Sequence, residues 1–327
     1  MSDIKLFQLA GGQATELQGD ASDLEKPLQT LIEKNLDVLL GIRFLASEYP
    51  TGKTHGGRID SLGLDENDCP VILEYKRSVG ENVINQGLFY LDWLMDHQAE
   101  FKLLVMETLG TAAADQIDWS APRLVCIAAD FTKYDGHAVQ QINRNIELIR
   151  YRRFGEDLLL LELANTASAG TAKSMKGTKA SKPVKAVDEP AVPAKAIGTD
   201  KTVAEQLATM PEALTVLLAS LEDYVLSLGD DVQRKELKLY IAFKRLKNFA
   251  TAVPQKGRLL LYLHLDVERI APPPGIGRDV RQQGHWGTGD MELSLTKAAD
   301  LDLVKPLIQQ AYEGRAAVGC ALPPVTL

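Results

Sequence analysis

Two hydrophobic periods alternate along this chain. Apolar residues recur at helical spacing through Leu24, Leu28, Leu31, Ile32, Leu39 and Leu40. The capping-box pattern Ser22-Asp23-Leu24-Glu25 opens that run and predicts an amphipathic helix. Residues 1–20 read as a short β-rich lead-in with an edge strand over 5–9. Strand patterns follow over 44–49, 57–64, 71–77 and 158–163, and 102–106 and 124–129 are continuous apolar runs suited to buried strands. Helices are predicted over 81–97 and 137–150. In the last third, 202–210 and 212–228 keep helical spacing. Strands are predicted over 239–244, 248–253, 258–265 and 291–295, and a closing helix over 300–312, with Pro306 as a kink.

One pair of these strands carries charge where strands stay apolar. Asp65, Glu66, Asn67 and Asp68 supply turn chemistry between 57–64 and 71–77. Antiparallel pairing symmetric about Asn67 sets Asp60 directly opposite Glu74, with Lys76 two residues on and so on the same face. Like charges opposite each other destabilise a sheet. A bound divalent cation removes the conflict, because hard cations take carboxylate oxygens.

Arg58-Ile59-Asp60 followed by Glu74-Tyr75-Lys76 resembles the PD-(D/E)XK nuclease superfamily, with Ile59 where the family often has proline. The resemblance implies that Asp60 and Glu74 hold Mg²⁺ or Mn²⁺ and that Lys76 serves the attacking water. Glu33 matches the position of a helix acid that often joins the metal; an ordinary solvated glutamate explains it equally well. On the helix after the acid-x-Lys strand, Gln86 and Tyr90 stand four apart on one face and resemble the Gln-x-x-x-Tyr motif of the RecB-like branch. There that motif borders the active site and contacts nucleic acid, and Arg77 joins them as an expected contact. The text around Leu31–Asn35, Arg58–Leu62 and Glu74–Arg77 is most similar to NucS-like endonucleases. His55, a loop histidine, stays outside this site.

The implied fold class is α/β: a restriction-endonuclease-like mixed sheet flanked by helices over 1–164, plus a smaller α+β C-terminal domain over 201–327. Residues 165–200, rich in Ala, Lys, Pro and Ser, read as a flexible linker that cannot bury enough surface to offset chain entropy. The C-terminal part resembles an uncharacterised domain sometimes labelled a predicted transport protein; no apolar run is long enough to span a membrane. Its Lys244, Arg245, Arg278, Arg281, His285 and Trp286 form either an anion- or base-binding surface or a charged rim. Arg150, Arg152 and Arg153, read as a helix end, either grip phosphate or favour the helix dipole.

Charge changes the picture once it is divided. Residues 1–165 carry 15 Lys+Arg against 26 Asp+Glu, residues 166–200 carry 6 against 3, and residues 201–327 carry 15 of each. An acidic N-terminal half does not attract phosphate backbones indiscriminately. Cys69, Cys126 and Cys320 have no metal-ligand spacing and point to a reducing cytoplasm, as does the absence of a secretory signal. No phosphate-binding Gly-x-x-x-x-Gly-Lys loop, nucleophile elbow or His-Glu-x-x-His motif occurs. Two readings remain. One is a divalent-metal-dependent endonuclease acting on DNA, with the C-terminal domain directing substrate or partner choice. The other is a catalytically silent nuclease-fold module that binds nucleic acid, a nucleotide or a protein partner. The sequence neither fixes nor excludes a homo-oligomer.

Overall fold

The computed structural model describes residues 4–20, 25–76, 83–167 and 201–314. The chain opens with an exposed hairpin, β1 (Leu6–Ala10) and β2 (Gln13–Leu17), and a two-residue strand, β3 (Gly19–Asp20). Then come α1 (Glu25–Lys34), α2 (Leu36–Leu40), β4 (Ile42–Pro50), α3 (Gly52–His55), β5 (Arg58–Asp65) and β6 (Pro70–Lys76). Three helices, α4 (Val83–Asp96), α5 (Gln98–Leu109) and α6 (Thr111–Gln116), precede β7 (Arg123–Ala128). After α7 (Lys133–Gln140) run β8 (Asn145–Phe154) and β9 (Leu158–Ala167). The second half holds α8 (Val203–Ala208), α9 (Glu212–Leu226), β10 (Gln233–Glu236), β11 (Ile241–Lys244), β12 (Asn248–Gln255), β13 (Arg258–Leu263), β14 (Gly277–Asp279), β15 (Met291–Leu295) and α10 (Ala298–Glu313).

A mixed seven-stranded sheet organises the first half in the order β3-β8-β7-β6-β5-β4, with β9 also paired to β8. Strands β6, β7 and β8 are parallel; β4, β5 and β9 join antiparallel. The alternation along β6 decides what covers each face. Val71, Leu73 and Tyr75 meet Leu28, Ile32, Leu36 and Leu40 of α1 and α2. Ile72 turns the other way, to a core built with Tyr90, Leu91 and Trp93 of α4 and Phe101 and Val105 of α5. Both faces are therefore dry, which is why β6 reads as almost unbroken apolar text. This is the expected α/β class, a mixed sheet flanked by helices.

The second half is a six-stranded antiparallel sheet, β10-β11-β12-β13-β15-β14. Helices α8, α9 and α10 cover one face through Val203, Leu217, Leu221, Leu301 and Ile308. Segment 271–290 supplies β14, and its His285 stacks on Tyr262, 4.4 Å between ring centroids. Helix α10 continues through Pro306.

Several expectations need correction. Residues 102–106 lie in helix α5, not in a strand. Only Phe101 and Val105 of that helix are buried, and they stand four apart, so the apolar run was a one-sided helix. Residues 137–150 are not one helix: α7 ends at Gln140 and β8 begins at Asn145. The stretch Asn145–Phe154 finds hydrogen-bond partners on both sides, in β7 and β9, and sheet pairing overrides the helical pattern. The predicted helix over 24–40 breaks at Asn35 into α1 and α2, and its capping residues Ser22 to Leu24 lie outside the described residues. Strands β10 and β14 were not foreseen. Strand β9 runs on to Ala167, into the segment expected to be a linker; the rest of that segment, 168–200, lies outside the described residues.

Candidate active site

The β5–β6 register is the one the turn residues imply. Ser61 pairs with Leu73 and Leu62 with Ile72, which sets Asp60 opposite Glu74. The same register reaches the next strand: Ser47 pairs with Ser61 and Tyr49 with Ile59, so Glu48 lies opposite Asp60. A row of three acidic positions thus crosses β4, β5 and β6. Glu48 leaves the ladder with φ +51°, and its carboxylate goes to Lys26 Nζ at 2.9 Å and Arg58 Nε at 3.7 Å. Those cations hold it below the usual carboxylate range, Lys26 foremost.

Asp60 and Glu74 stay together. The Asp60 amide lies 3.3 Å from Glu74 Oε1, and Asp60 Oδ2 accepts the Tyr75 amide at 2.9 Å. Glu74 occupies a core position, two residues from Ile72 and in register with Cys126 of β7, and is fully buried. Among the described residues its Oε2 has no hydrogen-bond partner. Burial, and then the Asp60 carboxylate beside it, push the Glu74 carboxyl up to about 9. Burial also raises Asp60, against the opposing pull of the Tyr75 amide and Lys76. A pair of carboxyls this close does not carry two charges in a low-dielectric site unless a cation joins it.

Lys76 ends β6 on the Glu74 side, and its ammonium lies 3.8 Å from Glu25 Oε2 at the start of α1. Glu33 is not drawn to the carboxylate pair. It accepts from Ser61 Oγ at 2.7 Å and Gln29 Nε2 at 2.9 Å, on the α1 side of the sheet. Among the described residues, no group of three or more His, Cys, Asp or Glu side chains is arranged to hold a metal ion. Two carboxylates nevertheless suit Mg²⁺ or Mn²⁺, since Mg²⁺ is commonly held by one or two carboxylates, with waters and substrate phosphate completing the shell. The orphaned, buried Glu74 Oε2 is the atom that fits such an ion.

Helix α4 brings Gln86 and Tyr90 to the start of β5. Tyr90 is buried, and its hydroxyl accepts the Arg58 amide at 3.3 Å and lies 3.5 Å from Gln86 Nε2. Gly57 is required there, because a Cβ would stand 2.6 Å from the Tyr90 hydroxyl. Arg77 lies outside the described residues. His55 packs on Phe89 of α4, 4.9 Å between centroids, with its Nδ1 buried and without a partner among the described residues.

Gln29 was missed. It is buried, and its Nε2 lies 2.7 Å from the Asp60 carbonyl and 3.2 Å from Ser47 Oγ, tying α1 to β4 and β5 behind the pair. The signal was present: Glu25, Gln29 and Glu33 are polar at i, i+4 and i+8, one stripe along α1. Glu48 was legible only once β4 had been given its register.

Arg150, Lys244, Arg245, Arg278 and Arg281 are paired with acids, whereas Arg153 donates to the Glu156 carbonyl at 3.4 Å. Arg150 lies on β8, which removes the helix-end reading, and bonds Asp130 at 2.7 Å and Glu162 at 2.8 Å. Lys244 is fully buried against Glu147, so it forms no exposed anion surface. Arg245 pairs with Asp231, Arg278 with Glu292, and Arg281 with Asp279 and Glu268. Trp286 is exposed.

Comparison with known proteins places these halves differently. Residues 203–314 match a family described as a domain of unknown function, DUF5655. Among the described residues no helix is long and apolar enough to cross a membrane. An uncharacterised protein of Haemophilus influenzae is 28% identical over 318 residues, covering 95% of this chain and 100% of that protein. Among solved structures, a repair endonuclease from Pyrococcus abyssi is 19% identical, with a TM-score of 0.27 over 40% of this chain and 48% of that one. The EndoMS–dsDNA2 complex is 18% identical, with a TM-score of 0.22 over 42% of this chain and 50% of that one. The chain therefore spans about half the length of either solved protein, and its similarity to both is confined to part of its own length.

Proposed function

We propose that this protein is a divalent-metal-dependent endonuclease that hydrolyses phosphodiester bonds in DNA. The observation that carries the reading is the Asp60–Glu74 pair, in which Glu74 is fully buried with a carboxylate oxygen unpartnered among the described residues, and Lys76 follows two residues along β6. Asp60 and Glu74 would hold Mg²⁺ or Mn²⁺. When bound, such an ion supplies a more acidic water and a polarised phosphoryl oxygen. Lys76 places its ammonium at the site mouth, where it orients the attacking water and stabilises charge developing on the phosphoryl oxygens. Glu25 limits where that ammonium rests. Gln29 and the Tyr75 amide fix the Asp60 backbone and carboxylate before substrate arrives. On α4, Gln86 meets the strand, Tyr90 secures the start of β5 against it, and Arg77 adds a phosphate contact. Glu33 supports the pair through Ser61 and Gln29 in the absence of DNA.

A second reading, a silent nuclease-fold module that binds nucleic acid or a protein, draws on one observation. The N-terminal half is acidic and its Arg150 is already committed to carboxylates. The test is a panel of single-stranded, duplex, flapped and mismatched DNA, with RNA beside it, incubated with Mn²⁺ or Mg²⁺. Cutting by the wild type that disappears in Asp60→Asn and Lys76→Met establishes the endonuclease. Binding without cutting in any metal favours the silent module.

A further inference from the structure

The turn at the far end of the β5–β6 hairpin is held by the C-terminal half. Asn67 Oδ1 accepts from Asn248 Nδ2 at 2.7 Å and from the Tyr240 hydroxyl at 3.0 Å. Glu66 Oε2 accepts the Asn248 amide at 3.0 Å. Behind the turn, Asp65 Oδ2 meets Arg123 Nη1 at 2.8 Å, and the rest of that guanidinium forks onto Glu147 at 3.0 and 2.7 Å. Lys235 and Lys244, from β10 and β11, close on the same Glu147 at 3.2 and 3.1 Å. Cys69 and Ala121 pack with Leu237 and Ala242 beside them. Asp65, Arg123, Glu147, Lys235 and Lys244 are all buried. A junction built on desolvated, mutually dependent charges is not an arm that comes and goes, since losing one partner strands the others.

The opposite end of the hairpin needs such a hold. There Asp60 faces Glu74, an arrangement that pushes strands apart whenever both carboxyls are charged and no cation joins them. The ladder also thins at that end. The register makes 61 and 73 hydrogen-bonding partners and would make 59 and 75 the next, yet the Tyr75 amide goes to the Asp60 carboxylate. A slip of one residue would turn every side chain of the strand to the other face and part Asp60 from Glu74.

We propose that the C-terminal half is a register clamp, in which Tyr240, Lys244 and Asn248 grip the 65–69 turn and the Glu147–Arg123 pair, and so hold Asp60 opposite Glu74. These are positioning residues, and the partner that this face of the DUF5655 region fits is the acidic hairpin turn of its own chain. The purpose of the clamp rests on the metal-site reading above; the clamp itself is testable without activity.

The experiment uses the full chain: wild type, Tyr240→Phe, the Tyr240→Phe/Asn248→Ala double variant, and Arg281→Ala as a control remote from the turn. Amide hydrogen exchange is followed by mass spectrometry over residues 58–76, with and without Mn²⁺. Loss of the two grips should speed exchange across 58–76 by about tenfold while β7 and β8 stay protected, and should weaken Mn²⁺ binding by a similar factor. Coupling is reciprocal, so Mn²⁺ should slow exchange at the 65–69 turn in wild type and do so less in the double variant. A merely structural interface would show no such metal effect at the turn. If wild type binds no Mn²⁺, the metal reading fails and the 58–76 exchange alone decides the clamp. Unchanged exchange over 58–76 in the folded double variant overturns the proposal. If the double variant does not fold, Tyr240→Phe carries the same comparison, with a smaller expected acceleration.

Discussion

The Tyr75 amide donates to the Asp60 carboxylate at 2.9 Å, where the strand register would otherwise offer it the Ile59 carbonyl. Asp60 is thus part of the sheet's own hydrogen bonding as well as half of the candidate metal pair. Asp60→Asn keeps an acceptor for that amide, whereas Asp60→Ala leaves it buried and unpaired. Asp60→Ala should cost about 1–3 kcal/mol of stability, and Asp60→Asn should unfold in urea near the wild-type midpoint or above it. Equal losses in the two variants would separate the Asp60 carboxylate from the fold.

Glu74 makes stability depend on pH. Its carboxyl is held up to about 9 in the folded chain against an ordinary value of 4.5. Between those values the folded state binds a proton that the unfolded state has released. Stability from this group is therefore fully present below about 4.5 and is lost as pH rises towards 9. Glu74→Gln has no proton to lose. Its melting temperature should match wild type near pH 5 and exceed it by several degrees at pH 8.5, about 4 °C for each 2 kcal/mol at this size. A gap that stays constant with pH would contradict the shift.

Gln29 carries a prediction of a different kind, because it touches backbone. Gln29→Ala leaves the Asp60 carbonyl and Ser47 without their shared donor and should cost about 1–3 kcal/mol by urea unfolding. Gln29→Glu should be worse near neutral pH, since it sets a carboxylate beside Glu33 and the Asp60 carbonyl.

The hairpin was legible because two local rules agreed on it. Turn residues at 65–68 centred the pairing on Asn67, and strand alternation then put Asp60, Glu74 and Lys76 on one face. Glu33 shows where that reasoning ends. Helical spacing placed it near the sheet, but the face it meets depends on Ser61, an odd-numbered neighbour of Asp60 that points to α1. Arg150 and residues 102–106 were misplaced for a related reason: a short apolar run fits either period, and only its neighbours in space decide. The contacts of Lys244 with Glu147, 97 residues apart, have no local signature at all.

Glu147 is the anion around which the junction between the halves is built. Glu147→Ala strands Arg123, Lys235 and Lys244 in a buried site and should cost about 3–5 kcal/mol, enough to lower the thermal midpoint of the full chain markedly. Replacing the exposed Glu313 by alanine should have little effect in the same assay.

The Asp60–Glu74 pair as a cation site is tested most directly by calorimetric titration of Mn²⁺ into the full chain near pH 7, in two buffers of different ionisation enthalpy. The Glu74 carboxyl holds its proton there, so binding should release about one proton per ion and tighten as pH rises. Glu74→Gln should abolish the release, and Asp60→Asn and Glu74→Gln should each weaken binding at least tenfold. Wild-type binding that releases no proton, or binding that both variants retain in full, would contradict the assignment.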